Sequence, residues 1–260
     1  MRAATILSYD VEGPAEVAFQ VAAAGPVTSD LLTVTLDGAD VPVTALDRTH
    51  LVRVASGRLV LGYTVELPDH REPPAAPTEL DRLVALRPSR YCPSDRLAGY
   101  AADRFGTLAG AESVRAIEEH VHRHLAYTSR ASGPTTDAVD TLLSAQGVCR
   151  DYAHLMATLC RAVGVPARVA AVYAPGLDPM DFHLVVETAL DGGWWVWDAT
   201  RLAPRGALVR IATGRDAADV AFATVLTGTL EPVRQEITAT TDGDLPAGDN
   251  FSLVALSGSA

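Results

Sequence analysis

The sequence predicts an α+β fold in which a small β-sandwich precedes a core of mixed helices and strands. Short β-type runs separated by Gly-Pro, Asp-Gly and Ser-Gly turns fill residues 3–66, a spacing typical of a sandwich. Residues 68–78 hold four prolines and several charges, which is typical of a linker. Beyond the linker, helical periodicity alternates with β-type runs. The predicted domains are a sandwich of residues 1–72, a core of residues 79–240 and a tail of residues 241–260.

The composition favours a well-cored globular chain and argues against two classes of partner. The chain has 260 residues, of which 48% are hydrophobic and 20% charged, with a net charge of −11. Such acidity disfavours binding to nucleic acid or to anionic membrane surfaces, so we expect neither partner. No apolar run suits a secretory signal or a membrane span of roughly 18–20 residues. Three cysteines are too few for a disulfide framework, so we expect a cytoplasmic protein with free thiols. The oligomeric state stays open.

Two stretches have the apolar spacing of amphipathic helices. A helix over residues 111–125 has Val114, Ile117, Val121 and Leu125 on one side. A second helix is predicted to begin near Cys149 and to end at Gly164-Pro166, in the order in which these residues terminate helices. Its apolar positions are Tyr152, Leu155, Met156, Leu159 and Val163.

The second helix carries a cysteine in its first turn. Gly147 precedes this cysteine by two residues and leaves the approach to the sulfur free of side-chain bulk. The positive end of a helix dipole favours thiolate over thiol, and the thiolate is the nucleophilic form. We therefore predict that Cys149 is a nucleophile. The alternative is a buried cysteine without a chemical role.

A predicted β-hairpin supplies a base and an acid for this nucleophile. Residues 181–187 and 194–200 look like two strands joined by a tight turn at Asp191-Gly192. With that two-residue loop, His183 faces Thr200 and Asp198 is its diagonal neighbour on the same face. With a loop one residue earlier, His183 faces Asp198 directly. Either register lets a carboxylate orient the imidazole, as in an activated-nucleophile triad.

Four segments, in this order, resemble the bacterial branch of the transglutaminase-like superfamily: GVCRDYAHL, DFHLVVE, WVWDATRLAPR and VRIATGRDAADVAF. The upstream segment RPSRYCPSD is similar to the lead-in of that branch, and the resemblance covers roughly residues 85–225. It implies a papain-like transglutaminase core with a Cys149-His183-Asp198 triad and amide acyl chemistry. The preceding β-rich segment looks like the N-terminal domain common in that branch.

The predicted chemistry also needs an oxyanion hole and a substrate wall. The backbone N–H of Cys149, at the start of its helix, is the expected first oxyanion donor. The Tyr91 hydroxyl and the Gln146 amide are both candidates for the second donor. Trp195, in the returning strand, is a candidate for the wall of the substrate groove, with core packing as the alternative.

The remaining cysteines and histidines are interpreted as structural. Cys160 lies on the apolar face of the Cys149 helix, and Cys92 precedes a proline in a turn. His120 and His124 are one helical turn apart and could ligate a metal together, but no cysteine or carboxylate pattern completes a site. We therefore predict no metal and no organic cofactor.

The predicted reaction is attack by the Cys149 thiolate on a carboxamide or peptide carbonyl, through a thioester intermediate. If water resolves the thioester, the enzyme is a protease, peptidase or deamidase acting on a protein or peptide. We favour this hydrolase because no lysine-guiding feature is visible. If an amine resolves it, the enzyme is a protein-glutamine transglutaminase. A non-enzymatic binding module that keeps the fold is the third possibility.

Overall fold

The computed structural model describes residues 1–68, 76–249 and 251–256. Seven residues of the predicted linker, 69–75, lie outside this description, as does the predicted domain limit at residue 72. Within the described residues, no helix is both long enough and apolar enough to cross a membrane. The described part is a mixed α/β structure in which strands predominate.

Six strands form the N-terminal part of the chain. They are β1 (Arg2–Phe19), β2 (Ser29–Leu36), β3 (Ala39–Asp40), β4 (Val43–Leu46), β5 (Thr49–Val54) and β6 (Gly57–Glu66). The core then has α1 (Glu79–Val84), α2 (Ala98–Phe105), α3 (Gly110–His124), β7 (Ala126–Tyr127), α4 (Ala138–Ser144), β8 (Gln146–Gly147) and α5 (Cys149–Ala162). The remaining elements are β9 (Ala167–Tyr173), β10 (Phe182–Leu190), β11 (Gly193–Trp197), a 3₁₀ turn (Arg205–Ala207), β12 (Val209–Gly214) and β13 (Ala223–Thr240).

The N-terminal strands belong to one antiparallel sheet with the order β3-β2-β6-β1-β5-β4. The first half of the long strand β1 pairs with β6, and its second half pairs with β5. The two halves meet at Gly13, whose φ of 74° is in the left-handed region that favours glycine. Because β1 bends there and pairs on both sides of the bend, the strands stay joined in a single sheet. The prediction of a two-sheet sandwich is therefore not confirmed.

Strand β13 completes the same sheet, since it runs antiparallel to β1 along almost the whole of both strands. The predicted core includes these residues, because a β-type pattern predicts a strand but not its partner. One sheet therefore contains strands from both the predicted N-terminal domain and the predicted core. The division of the chain into these two domains stays a prediction. The Tyr173 hydroxyl also joins the two parts, because it lies 2.9 Å from Thr5 Oγ1 and donates to the Val21 carbonyl at 2.7 Å.

The core is built on a second antiparallel sheet with the order β11-β10-β9-β12. Helix α5 packs against β9 and β10, and α2, α3 and α4 pack around α5. The predicted helices over residues 111–125 and from Cys149 correspond to α3 and α5 within one or two residues. Their apolar positions are buried, since Val114, Ile117 and Leu155 expose none of their surface.

The C-terminal tail, for which the sequence predicts no helix or strand, packs onto the core. The Val196 N–H donates to the Val254 carbonyl at 2.8 Å, and Leu256 is buried in an apolar cluster with Val172, Val185 and Leu208. Arg205 donates to the carbonyl of Asp249 at 2.6 Å. Residues 250 and 257–260 of the tail lie outside the described residues.

Candidate active site

The turn before α5 places Cys149 as the first residue of the helix. Asp151 fixes this turn, because one of its carboxylate oxygens accepts the Val148 N–H at 2.8 Å and the other accepts the Ser132 hydroxyl at 2.7 Å. A Cβ at Gly147 would lie 2.6 Å from the Asp151 Cβ, so only glycine fits beside the capping carboxylate. Cys149 is thus held at the start of the helix, and the residue is partly exposed.

The hairpin that carries His183 and Asp198 has the first of the two registers considered from sequence. Leu190 pairs with Gly193 and Val186 with Trp197, so Asp191-Gly192 is the two-residue loop. Both loop residues have positive φ, 48° and 80°, as a type I′ turn requires. Continued along the strands, this register places Thr200 level with His183 and makes Asp198 its diagonal neighbour.

The imidazole and the carboxylate are in direct contact. His183 Nε2 lies 2.9 Å from Asp198 Oδ2, and both side chains are buried. The other oxygen, Asp198 Oδ1, accepts the Thr200 hydroxyl at 2.7 Å and the Thr200 N–H at 3.0 Å. With its hydrogen-bonding positions filled in this way, the carboxylate is held in one orientation toward the imidazole. Sequence reasoning did not assign Thr200 a role, although the hairpin register pointed to it.

The electrostatics of the site favour an ionised pair. Burial alone would lower the pKa of His183, but the Asp198 carboxylate and the neighbouring Cys149 outweigh burial and raise it above its usual value. Burial likewise opposes ionisation of Asp198, yet His183 and the Thr200 hydrogen bonds hold the pKa of Asp198 below its usual range. Because Nε2 is used by Asp198, Nδ1 is the ring nitrogen left for Cys149. The structure thus brings the predicted thiol, base and acid together.

Helix α3 holds the loop that follows Asp198. The Arg201 guanidinium pairs with the buried Glu118 carboxylate at 3.2 Å and also contacts Glu119. The His122 Nδ1–H donates to the Ala199 carbonyl at 2.9 Å. Burial raises the pKa of Glu118, and the hydrogen bond from Arg201 opposes this rise. Sequence reasoning missed this support, because α3 and the loop are about 80 residues apart in the chain.

The three histidines of α3 do not gather around one point. His120 Nε2 contacts the Tyr100 hydroxyl at 2.9 Å, and His124 Nε2–H donates to the Leu142 carbonyl at 2.8 Å. With the His122 bond to Ala199, each ring has a separate protein partner. Among the described residues there is no group of three or more His, Cys, Asp or Glu side chains suited to hold a metal ion.

The other predicted site residues are Tyr91, Gln146 and Trp195. The Tyr91 hydroxyl donates to the Pro134 carbonyl at 2.8 Å. Its proton is therefore already used in a hydrogen bond within the protein. Gln146 is exposed in β8, three residues before Cys149. Trp195 pairs with Thr188, five residues along β10 from His183, and its indole N–H donates to the Leu190 carbonyl. The structure therefore does not bring Trp195 to the triad.

Tyr127 is a neighbour of Cys149 that sequence reasoning did not find. Burial and the charge of the nearby Cys149 raise the pKa of Tyr127 to about 12, and the residue is 48% exposed. No helical or strand periodicity marks it, because β7 is only two residues long. The pairing of β7 with β8 is what brings it to the nucleophile.

The two other cysteines lie in different surroundings. Cys92 and Cys160 are fully buried, and burial raises the pKa of the first to about 11 and of the second to about 12. The Cys92 thiol donates to the His154 carbonyl at 3.6 Å. Both therefore remain protonated packing groups at neutral pH, as predicted for structural cysteines.

Known proteins are similar to this chain in sequence and in structure. A sequence profile described as Transglutaminase-like superfamily matches residues 100–199, a range that includes Cys149, His183 and Asp198. The solved structure of a protein from Cytophaga hutchinsonii, described as a candidate cysteine protease, is 31% identical to this chain. Its TM-score is 0.85, and the match covers 97% of this chain and 94% of that one.

Two further relatives match over shorter ranges. An uncharacterized protein of Mycobacterium leprae is 28% identical over 148 residues, which are 52% of this chain and 52% of that protein. A protein-glutamine gamma-glutamyltransferase of Pseudomonas aeruginosa is 40% identical over 83 residues, which are 31% of this chain and 12% of that protein. The chain thus spans about half of the first relative and a small part of the second.

Proposed function

The chain belongs to the transglutaminase-like superfamily, and on that premise we propose that it is a thiol-dependent hydrolase of amide or peptide bonds. The observation that carries the proposal is the contact of 2.9 Å between His183 Nε2 and Asp198 Oδ2. The same imidazole lies near Cys149. A thiol at a helix start, next to a base that a buried carboxylate orients, is the arrangement of an activated nucleophile.

In the proposed reaction Cys149 Sγ attacks the substrate carbonyl carbon, and the carbonyl electron pair moves onto oxygen. The carbon–nitrogen bond then breaks, and the leaving amine takes a proton from His183 as a thioester forms. Water attacks the thioester carbon while His183 accepts its proton, and Cys149 leaves as the product acid is released. Asp198 remains ionised throughout and stabilises the imidazolium.

The accessibility of the site supports water as the second nucleophile. Cys149 is partly exposed, and neighbouring Tyr127 exposes about half of its side chain. Hydrolysis needs only such an open site, whereas transfer to an amine requires that water be kept away from the thioester. As part of the same proposal, the substrate is a protein or peptide and the protein acts in the cytoplasm, where its three cysteines stay free.

One observation favours transfer to an amine as the second candidate. The relative from Pseudomonas aeruginosa, a protein-glutamine gamma-glutamyltransferase, is 40% identical over its 83 matching residues. If this chain had that activity, a glutamine side chain would form the thioester and a primary amine would resolve it. The chain itself contains no lysine, so the amine would have to come from another molecule.

A peptide library incubated with the wild-type chain, with and without a small primary amine, tests the proposal by mass spectrometry. We expect cleaved peptides, or peptides in which glutamine has become glutamate, and we expect neither with Cys149→Ala. Amine-labelled glutamine in place of hydrolysis would favour the transferase. Equal product from wild type and Cys149→Ala would contradict both.

A further inference from the structure

Two arginine side chains lie against the ring of Tyr91. The Arg90 Cζ lies 5.0 Å and the Arg150 Cζ 5.5 Å from the centre of this ring. Tyr91 is buried, and its ring stacks on the His154 ring with the two ring centres 5.2 Å apart. Its hydroxyl is bound to the Pro134 carbonyl. The ring is therefore a fixed support that holds two positive charges close together.

One of these charges belongs to the residue next to the nucleophile. Arg150 follows Cys149 directly in the first turn of α5, so their Cα atoms are about 3.8 Å apart. The Arg150 side chain is held in place, because Nη2 donates to the Ser132 hydroxyl and to the Gly133 carbonyl. This side chain remains 26% exposed. A peptide whose carbonyl reaches Cys149 therefore has its neighbouring residues near this guanidinium.

Much of the hydrogen-bonding capacity of the two guanidinium groups is unused. Arg90 is exposed, and within the part of the chain that the structure describes it makes no ion pair and no side-chain hydrogen bond. The Arg150 Nε–H is buried without an acceptor. Arg150 Nη2 lies 3.6 Å from Asp151 Oδ1, which is beyond the range of a hydrogen bond. Both guanidinium groups can thus still take a partner of opposite charge.

Two buried carboxylates in this region are already used by the fold. Asp151 fixes the turn before α5. Asp216 Oδ2 accepts the Tyr91 N–H at 3.0 Å, and Asp216 Oδ1 accepts the Ala218 N–H at 3.0 Å. The chain as a whole has a net charge of −11, so this pair of arginines is a local exception to its acidity. The partner that would complete their hydrogen bonds is therefore a carboxylate from another molecule.

We propose that Arg90 and Arg150 form a subsite that binds a carboxylate of the substrate, near the carbonyl that Cys149 attacks. A guanidinium presents its N–H donors in a planar fork that matches the two oxygens of a carboxylate. The preferred substrates are then peptides with an aspartate, a glutamate or a C-terminal carboxylate a few residues from the attacked bond. This inference rests on the proposed function, since it names the class of peptide that the hydrolase takes.

A pair of alkylating reagents tests the subsite on the full chain without a substrate. Iodoacetate carries a carboxylate where iodoacetamide has a neutral amide, and with either reagent Cys149 Sγ bonds to the methylene carbon as iodide leaves. The ratio of the two rates at Cys149, measured by peptide mapping, reports how the surroundings act on a carboxylate. We expect Arg90→Gln to lower the ratio of iodoacetate to iodoacetamide about threefold at low salt, as one charge about 7 Å away in water would do. Salt at about 1 M should remove most of this difference.

A neighbouring arginine provides the matched control. Arg87 is exposed like Arg90 and lies three residues before it, but among the described residues only Arg90 and Arg150 lie over the Tyr91 ring. Arg87→Gln removes the same charge from the same segment and should keep the wild-type ratio. Urea unfolding of each variant checks that it is folded.

Peptides that differ in one charge test the same subsite in turnover. One set derived from a library substrate has an aspartate or glutamate near the attacked bond and an amidated C-terminus. The other set has neutral side chains and a free C-terminal carboxylate, so the two sets distinguish the two sources of the carboxylate. We expect Arg90→Gln to raise KM for the preferred set about fivefold with little change in kcat, the upper range for an exposed ion pair. Arg90→Glu should favour peptides with lysine or arginine at that position.

An unchanged alkylation ratio and an unchanged KM in Arg90→Gln would overturn the subsite, and so would equal effects of Arg87→Gln and Arg90→Gln. Hydrolysis by the wild-type chain without any preference for a carboxylate would overturn this inference and leave the proposed function standing. If the wild-type chain forms no peptide product, but its alkylation ratio falls in Arg90→Gln, the proposed function fails and the carboxylate subsite stands.

Discussion

The two ends of helix α5 carry the same residue type in opposite environments. Cys149 is the first residue of the helix, partly exposed and next to His183. Cys160 lies three turns later, fully buried, with a pKa raised to about 12 by burial. The comparison shows that access and a charged partner, not the presence of a thiol, make a cysteine a candidate nucleophile.

Replacing each of these two cysteines by alanine should separate an effect on turnover from an effect on stability. Cys149→Ala should abolish turnover, a loss of about 10⁴-fold or more, with little change in the free energy of unfolding, because it removes the nucleophile but little packing. Cys160→Ala should keep turnover and lower the free energy of unfolding by about 1 kcal/mol through a small cavity. For both variants, we would measure turnover of a peptide substrate found in the library and the free energy of unfolding in urea. Retained turnover in Cys149→Ala would overturn the account.

The partners of Cys149 provide the second test. His183→Ala should cost nearly as much turnover as Cys149→Ala at neutral pH, and part of the loss should return as pH rises and the thiolate forms without a base. Asp198→Asn should cost less, about 10²–10³-fold, because it spoils orientation but leaves both reacting groups in place. Turnover against pH decides this. Wild-type turnover in Asp198→Asn would remove Asp198 from the mechanism.

Helix α3 holds the loop after Asp198 through two carboxylates, which can be compared with each other. Both Glu118 and Glu119 pair with Arg201, but Glu118 is buried and Glu119 lies at the surface. Glu118→Gln should loosen the loop that carries Asp198 and reduce kcat by about tenfold, since small misplacements of catalytic groups are costly. Glu119→Gln should leave kcat close to wild type. Equal effects of the two substitutions would show that this support does not reach the site.

The pH dependence of stability gives the smallest effect. The pKa of folded His183 is raised above the unfolded value of about 6.5, so its pairing with Asp198 contributes most below that pH and is lost as pH rises through the folded pKa. The difference in unfolding free energy between wild type and His183→Gln should be about 1–2 kcal/mol larger near pH 6 than near pH 9. Urea unfolding at the two pH values measures it. A difference that grows with pH would contradict the ionised pair.

Local patterns predicted much of the site, whereas long-range partners could not be predicted. Apolar spacing identified α5, and Asp191-Gly192 indicated a hairpin turn, because both depend on neighbours in sequence. The sequence left two hairpin registers open, and the structure has the first of them. The pairing of β13 with β1 and the packing of Leu256 on the core depend on residues far away in the chain. Tyr127 was missed for the same reason, since its place is set by the pairing of two-residue strands.

We infer that the surroundings of Cys149 make it the reactive thiol of this chain. A short pulse of iodoacetamide near pH 6, followed by peptide mapping, tests it directly in the wild-type chain and in His183→Ala. We expect Cys149 to be alkylated at least about 10²-fold faster than Cys92 or Cys160, and we expect this advantage to fall sharply in His183→Ala. Equal labelling of all three cysteines, or an unchanged rate at Cys149 without His183, would contradict the claim.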